Sequence, residues 1–180
     1  MRNRVLVCFF LVFAATSIRL QAQNAMLTKE ETINYLNKKT LESIGHKYSS
    51  DKGYIGEVTK AEVVKDDKGV KIRFVLKFSS GTSGWFSFAF NPMHIKAVRP
   101  YTNASSSSIN EASIDMIGNT CLYSYGSGEY YGYSITETKS TNYANFMYLR
   151  ADAENIEKIK KALTHLQTLL KAEDDPFGMP

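Results

Sequence analysis

The segment KIRFVLKF, residues 71–78, constrains the fold of this chain more than any other. Ile72, Phe74, Leu76 and Phe78 alternate with Lys71, Arg73, Val75 and Lys77. Successive side chains of a strand point to opposite faces, so a period of two writes one buried face and one wet face. Such a strand belongs in an antiparallel sheet with its apolar side turned onto a core. The segment WFSFAF, residues 85–90, repeats the pattern. Phe86, Phe88 and Phe90 share one face, and Trp85, Ser87 and Ala89 the other.

Neighbouring segments supply partners for these strands. Residues 56–64 and 70–78 flank Lys65, Asp66, Asp67, Lys68 and Gly69, a hairpin loop in composition. Asn91 and Pro92 end the third strand, because proline cannot donate to a ladder. An extended pattern resumes over 93–98 and stops at Pro100. Residues 111–117 fit a strand and a turn of helix equally. Residues 121–125 and 130–137 predict a hairpin across Gly126, Ser127, Gly128 and Glu129, whose small residues read as turn chemistry. Residues 142–150 predict a last strand, apolar on both faces.

A helix stands at each end of this β region. Thr28 and Glu31 form a capping box, followed by an apolar stripe of Ile33, Leu36, Leu41 and Ile44 with Thr40 among them. Gly45 is the predicted stop, and Asn34, Asn37, Lys38 and Lys39 the predicted wet side. The second helix is capped by Asp152, with Glu154 in its first turn. Ile156, Ile159, Leu163, Leu166 and Leu170 form its stripe, widened by Ala162 and Leu169, and this stripe is expected to lie on the sheet. Pro176 forbids continuation.

The order is helix, about seven strands, helix. Short hairpin-like steps predict a mostly antiparallel α+β domain, a small β-barrel or a strongly curled sheet with both helices packed on it. The hairpin at Asp66, Asp67, Lys68 and Gly69 and the run IEKIKKALTHLQTLLKAEDDPF, residues 156–177, resemble the pleckstrin-homology-like barrel, as found among small secreted bacterial domains. The resemblance implies a barrel closed at one end by the terminal helix, and it carries no residue-level function. The N-terminal helix departs from the simplest form of that fold. Alternatives are a cystatin-like or nuclear-transport-factor-like sheet on a helix, and a short lipocalin-like barrel.

The N-terminus predicts a secretory signal over 1–22, followed by one domain over 26–177. Arg2 and Arg4 precede an apolar run of eleven residues from Val5 to Ala15. That run is too short to span a bilayer, which needs ~20. Cys8 sits inside it and does not read as a lipidation site. A secreted or periplasmic location follows, with no transmembrane span after removal of the signal. Arg2, Arg4 and Arg19 leave with the segment, so a formal charge of +4 falls to near +1, 19 basic residues against 18 acidic. Nothing clusters those bases, so neither nucleic acid nor phosphoinositide is an implied partner. Cys121 is then the lone cysteine, which excludes an internal disulfide. Asn103, Ala104 and Ser105 match a glycosylation sequon in form.

No catalytic constellation is legible. His46, His94 and His165 lie far apart, without zinc-ligand spacing. Gly81, Thr82, Ser83 and Gly84 lack the spacing of a nucleophile elbow. Gly126, Ser127 and Gly128 lack the lysine and helix of a phosphate loop. The acid pairs Asp66–Asp67 and Asp174–Asp175 lack the alternating oxygens of a calcium loop. No cofactor or metal is implied.

Binding by shape remains, and the chain reads as a non-enzymatic binding or interaction module. The candidate residues are Trp85, Tyr123, Tyr125, Tyr130, Tyr131 and Tyr133, amphipathic aromatics suited to a protein, apolar or sugar-like partner. The predicted hairpin sets Tyr125 opposite Tyr130. Tyr123, Tyr125 and Tyr130 then share one face, and Tyr131 and Tyr133 the other with Leu122. Packing is the competing explanation, since strands are rich in tyrosine for that reason alone. Two further readings have their own tests. A carrier of a small apolar ligand needs an open cavity lined by Phe74, Leu76, Phe86 and Phe88. An enzyme needs His94 or Cys121 beside a carboxylate in a pocket.

Overall fold

The computed structural model describes residues 27–50, 53–101 and 106–174. The predicted signal over 1–22, Cys8 within it, the sequon at Asn103, and Pro176 lie outside the described residues.

Helix α1, Lys29–Leu41, starts on its predicted capping box. The Thr28 amide donates to Glu31 Oε2 at 2.8 Å, and the Glu31 amide donates to Thr28 Oγ1 at 3.2 Å. Two orphan donors of the first turn are thereby satisfied. Ile33 and Leu36 are buried, but Leu41 and Ile44, placed on the same stripe by spacing, are exposed. The helix ends four residues before Gly45 because tight turns replace it: the Ser43 amide reaches the Thr40 carbonyl and the Ile44 amide that of Leu41. Gly45, at φ +79°, then steers the chain, and its amide donates to the Val58 carbonyl. Asn37, expected on the wet side, instead accepts the Val63 amide at 2.9 Å.

Nine strands follow among the described residues: β1 Lys47–Ser49, β2 Ile55–Asp66, β3 Gly69–Phe78, β4 Ser83–Phe90, β5 Ile95–Tyr101, β6 Ile109–Met116, β7 Cys121–Ser127, β8 Ile135–Thr141 and β9 Tyr143–Leu149. Every pairing is antiparallel. The β2–β3 turn is tighter than the predicted loop. Asp66 pairs with Gly69, and the Lys68 amide donates to Asp66 Oδ1 at 3.1 Å. Gly69 has φ +119°, and a Cβ there would lie 2.9 Å from Pro92 Cδ. The undecided segment is strand over 111–116, within β6, and Ile117 lies just past its end.

The strands form two sheets, in the orders β1-β2-β3-β4-β7-β8 and β5-β6-β9. This corrects the expected barrel: among the described residues no ladder joins the sheets into a closed ring. The cause is Asn91–Pro92. Pro92 cannot extend β4's ladder, and the 3-10 turn Pro92–His94 throws the chain into the second sheet. The segment 93–98, expected to be extended throughout, therefore begins as a turn.

Helix α2, Asn155–Asp174, follows an Asp152 that accepts the Glu154 amide at 3.0 Å. Ile159, Ala162, Leu163 and Leu166 are buried as their spacing predicts. The stripe lies chiefly on α1 and the Pro92–His94 turn, and only secondarily on β5 and β9. Gln167 Nε2 reinforces this seat by donating to the Ile95 carbonyl at 2.9 Å. One continuous core, including Leu36, Ile72, Phe90, Ile114, Phe146 and Leu163, joins helices and sheets. No helix among the described residues is long and apolar enough to cross a membrane.

Candidate functional site

The antiparallel register of the first sheet carries two side-chain rows across four strands. One row runs Phe74, Phe86, Tyr125, Glu137, and the next Ile72, Phe88, Tyr123, Lys139. These residues share a face by strand parity. Neighbouring rings are in contact, with centroids 5.2 Å apart for Phe74–Phe86, 5.0 Å for Phe88–Tyr123 and 5.6 Å for Tyr123–Tyr125. Leu76, in the row beyond, pairs with Gly84, where a Cβ would lie 3.1 Å from Phe78 Cε2, so the glycine makes room for that ring.

This face is only partly covered: Phe74, Leu76 and Phe88 are buried, whereas Phe86, Tyr123 and Tyr125 are half-buried. It floors an open cleft of about 760 Å³ that includes Phe74, Leu76, Phe86 and Phe88 in its lining. The second sheet contributes Glu111, Tyr143 and Asn145. Tyr143 meets the floor at Phe88, with ring centroids 6.2 Å apart. Tyr54, 61% exposed, stands among the lining residues as the most open aromatic. At the β8 edge the Lys139 ammonium pairs with Glu137 at 2.8 Å and sits 5.7 Å from the Tyr123 ring centroid. The ion pair raises the Lys139 pKa. The Tyr123 phenol is pushed up by burial first, then by Tyr143, Tyr125 and Glu137 nearby, so it is a neutral donor and acceptor at physiological pH.

The six aromatic candidates divide between the two faces of the sheet. Tyr123 and Tyr125 are in the cleft. Trp85 is on the opposite face, only 2% exposed, under a loop over 128–134. Its Nε1 donates to the Tyr133 carbonyl at 2.6 Å. Tyr131 packs under the Arg73 guanidinium, 4.7 Å from the ring centroid, and burial pushes its phenol pKa up. Tyr130 and Tyr133 are 67% and 65% exposed, with Lys60 Nζ 4.0 Å from the Tyr130 centroid.

The predicted hairpin is corrected here. Tyr125 faces Glu137, not Tyr130, and β8 begins only at Ile135. The physical reason is the loop's recruitment by Trp85 together with the positive φ of Gly128, Gly132 and Ser134, which turns the chain away from the ladder. Tyr130, Tyr131 and Tyr133 are loop residues rather than members of strand faces.

Glu111, Glu137, Lys139, Tyr143 and Asn145 were not foreseen as site residues. Glu137 and Lys139 carried a signal, alternation in ITETKST, that acquires meaning only once β7 is known to pair with β8. His46 and His94 are exposed at the surface, and His165 Nε2 is 2.6 Å from the Leu27 carbonyl. Cys121 is buried, and burial pushes its thiol up to about 11, so it is no nucleophile near neutral pH. No three His, Cys, Asp or Glu side chains converge to hold a metal among the described residues.

No protein-family model, curated protein or solved structure matches the chain.

Proposed function

We propose that this domain is a non-enzymatic binding module that carries a small amphipathic molecule in the cleft between its two sheets. One observation carries the reading: the half-buried rings of Phe86, Tyr123 and Tyr125 line an open cleft, which the nearly covered Phe74, Leu76 and Phe88 border. Apolar side chains left facing a void forfeit dispersion contacts, and a ligand restores them. The volume of about 760 Å³ lies inside the ~300–1,000 Å³ range of small-molecule sites. The charged and phenolic groups along one side argue against a pure hydrocarbon, which would strip their water and return no hydrogen bond.

The proposal includes a secreted or periplasmic location, motivated by the basic and then apolar segment over 1–22. It does not rest on the pleckstrin-homology-like resemblance, because fold analogy does not assign a ligand. Native mass spectrometry of protein purified from its own periplasm or medium tests it. A co-purified small molecule is expected, and Phe86→Ala should lose it while remaining folded. Wild-type protein that is always bare, and that stays indifferent to added amphiphiles, would sink the reading.

A protein partner at the loop over 128–134 is the second reading, favoured by Tyr130, Tyr133 and Ile135, all at least 60% exposed. Replacing Tyr130 and Tyr133 with alanine should then weaken partner capture without unfolding the domain. Unchanged capture would remove that surface from consideration.

A further inference from the structure

The cleft floor changes chemistry in strand order. Phenylalanine and leucine lie on β3 and β4, tyrosine on β7, and an acid–base pair on β8. The row Phe74, Phe86, Tyr125, Glu137 spans three inter-strand steps, roughly 14 Å at ~4.8 Å each. One end of that path is hydrocarbon and the other is ionic. Resting on the cleft reading above, we propose that the ligand is a single-chain amphiphile with a zwitterionic head, its tail on β3 and β4 and its head against Glu137 and Lys139 of β8.

Charge balance selects the head. Glu137 and Lys139 are neighbours on one face of β8, 2.8 Å apart, with side chains 40% and 48% exposed. A purely anionic head would engage Lys139 and confront Glu137. A purely cationic head would do the reverse. A zwitterion exchanges the internal pair for two intermolecular ones, ammonium to Glu137 and anion to Lys139, at no net cost in charge. The phenols of Tyr123 and Tyr143 flank this end, and the Tyr123 ring already carries the Lys139 ammonium on its face. That contact shows the ring accepts a cation there. The partial exposure suits a head that keeps some of its water.

A simpler role exists for the pair. β8 is an edge strand, and charged residues on an edge deter pairing with a second chain. That role gives no dependence on the ligand's head group, so head-group dependence separates the two.

Isothermal titration with decylphosphocholine, decyltrimethylammonium, decanoate and decyl maltoside, each below its micelle concentration, makes the comparison. Decylphosphocholine is expected to bind about threefold to tenfold more tightly than each of the others. Glu137→Gln and Lys139→Met should each erase that margin, and both positions are exposed enough for the variants to fold. The reversed pair, Glu137→Lys with Lys139→Glu, should keep it. Phosphocholine without a chain should not bind measurably, which assigns the head to a lipid-like molecule rather than a free solute. Equal binding of all four chains, a tighter singly charged or neutral chain, a margin that survives both single variants, or tight binding of chainless phosphocholine would overturn the head assignment alone. Failure of every chain to bind would sink the cleft reading and this proposal together.

Discussion

Trp85 holds the loop over 128–134 against the outer face of the first sheet, through the bond from its Nε1 to the Tyr133 carbonyl. Gly126 makes that possible. It is a strand residue, and a Cβ there would lie 2.4 Å from the Ser134 carbonyl oxygen and 2.7 Å from Trp85 Nε1. Its glycine reflects close approach, not the turn chemistry its sequence context implies. Trp85→Phe removes the donor and strands the carbonyl, at a cost of about 2 kcal/mol in urea denaturation. Ligand affinity should not change, because the cleft is on the other face. A loss below ~0.5 kcal/mol would show that the indole does not hold the loop. Cys121 gives a pH prediction. Its thiol is raised by burial from 9.0 to about 11. The folded chain therefore keeps a proton that the unfolded chain releases above pH 9.0. The stabilisation is complete below that pH and is lost as pH rises toward about 11. Half-buried Tyr123 and Tyr131, raised from 10.0, act in the same direction. Urea midpoints should fall between about pH 8 and about pH 10.5, and Cys121→Ala should shrink the fall. An equal fall in the variant would assign the effect to the tyrosines.

Elements whose chemistry is local were legible in the sequence, and elements defined by distant partners were not. The α1 cap needs only Thr28 and Glu31, and the β2–β3 hairpin only the residues from Asp66 to Gly69. The α2 stripe follows from spacing within the helix. Leu163→Ala tests that element, since Leu163 has no exposed surface. The loss should be about 2–5 kcal/mol, against a few tenths for Thr164→Ala on the exposed side. Comparable losses would mean that the stripe does not organise the helix. The β7–β8 loop was not legible because Trp85, its anchor, is 48 residues from Tyr133. β6 was ambiguous because an isolated segment of mixed pattern does not reveal its partner β9, with which Ala112 pairs to Phe146. The split into two sheets had a local cause in Pro92, but proline alone marks where a strand stops and not where the chain goes next.

At the scale of the molecule, the cleft is a property of two sheets and of neither alone. Strand parity put Phe74, Leu76, Phe86 and Phe88 on one face from the sequence. Whether that face is filled depends on what the second sheet sets opposite, and there Glu111, Tyr143 and Asn145 reach the space without closing it. The helices take no part in the lining: α1 packs on β2 and on α2, and α2 on α1 and the Pro92–His94 turn. Phe74, Leu76 and Phe88 border the cleft and also belong to the continuous core, so linkage connects binding there to stability quantitatively. A ligand that binds only the folded state stabilises it by ~2.7 kcal/mol at a hundred times its dissociation constant. For a domain of this size that is a rise in Tm of roughly 5–10 °C. Protein isolated with its ligand should melt higher by this amount than the same protein unfolded, freed of ligand and refolded. Adding back the extracted small-molecule fraction should restore the difference in wild type and not in Phe86→Ala. Leu163→Ala, remote from the cleft, should melt lower in both states yet show the full rise. Identical melting of isolated and stripped wild-type protein would mean that the cleft carries nothing through purification. A rise of equal size in Phe86→Ala would mean that the ligand sits elsewhere.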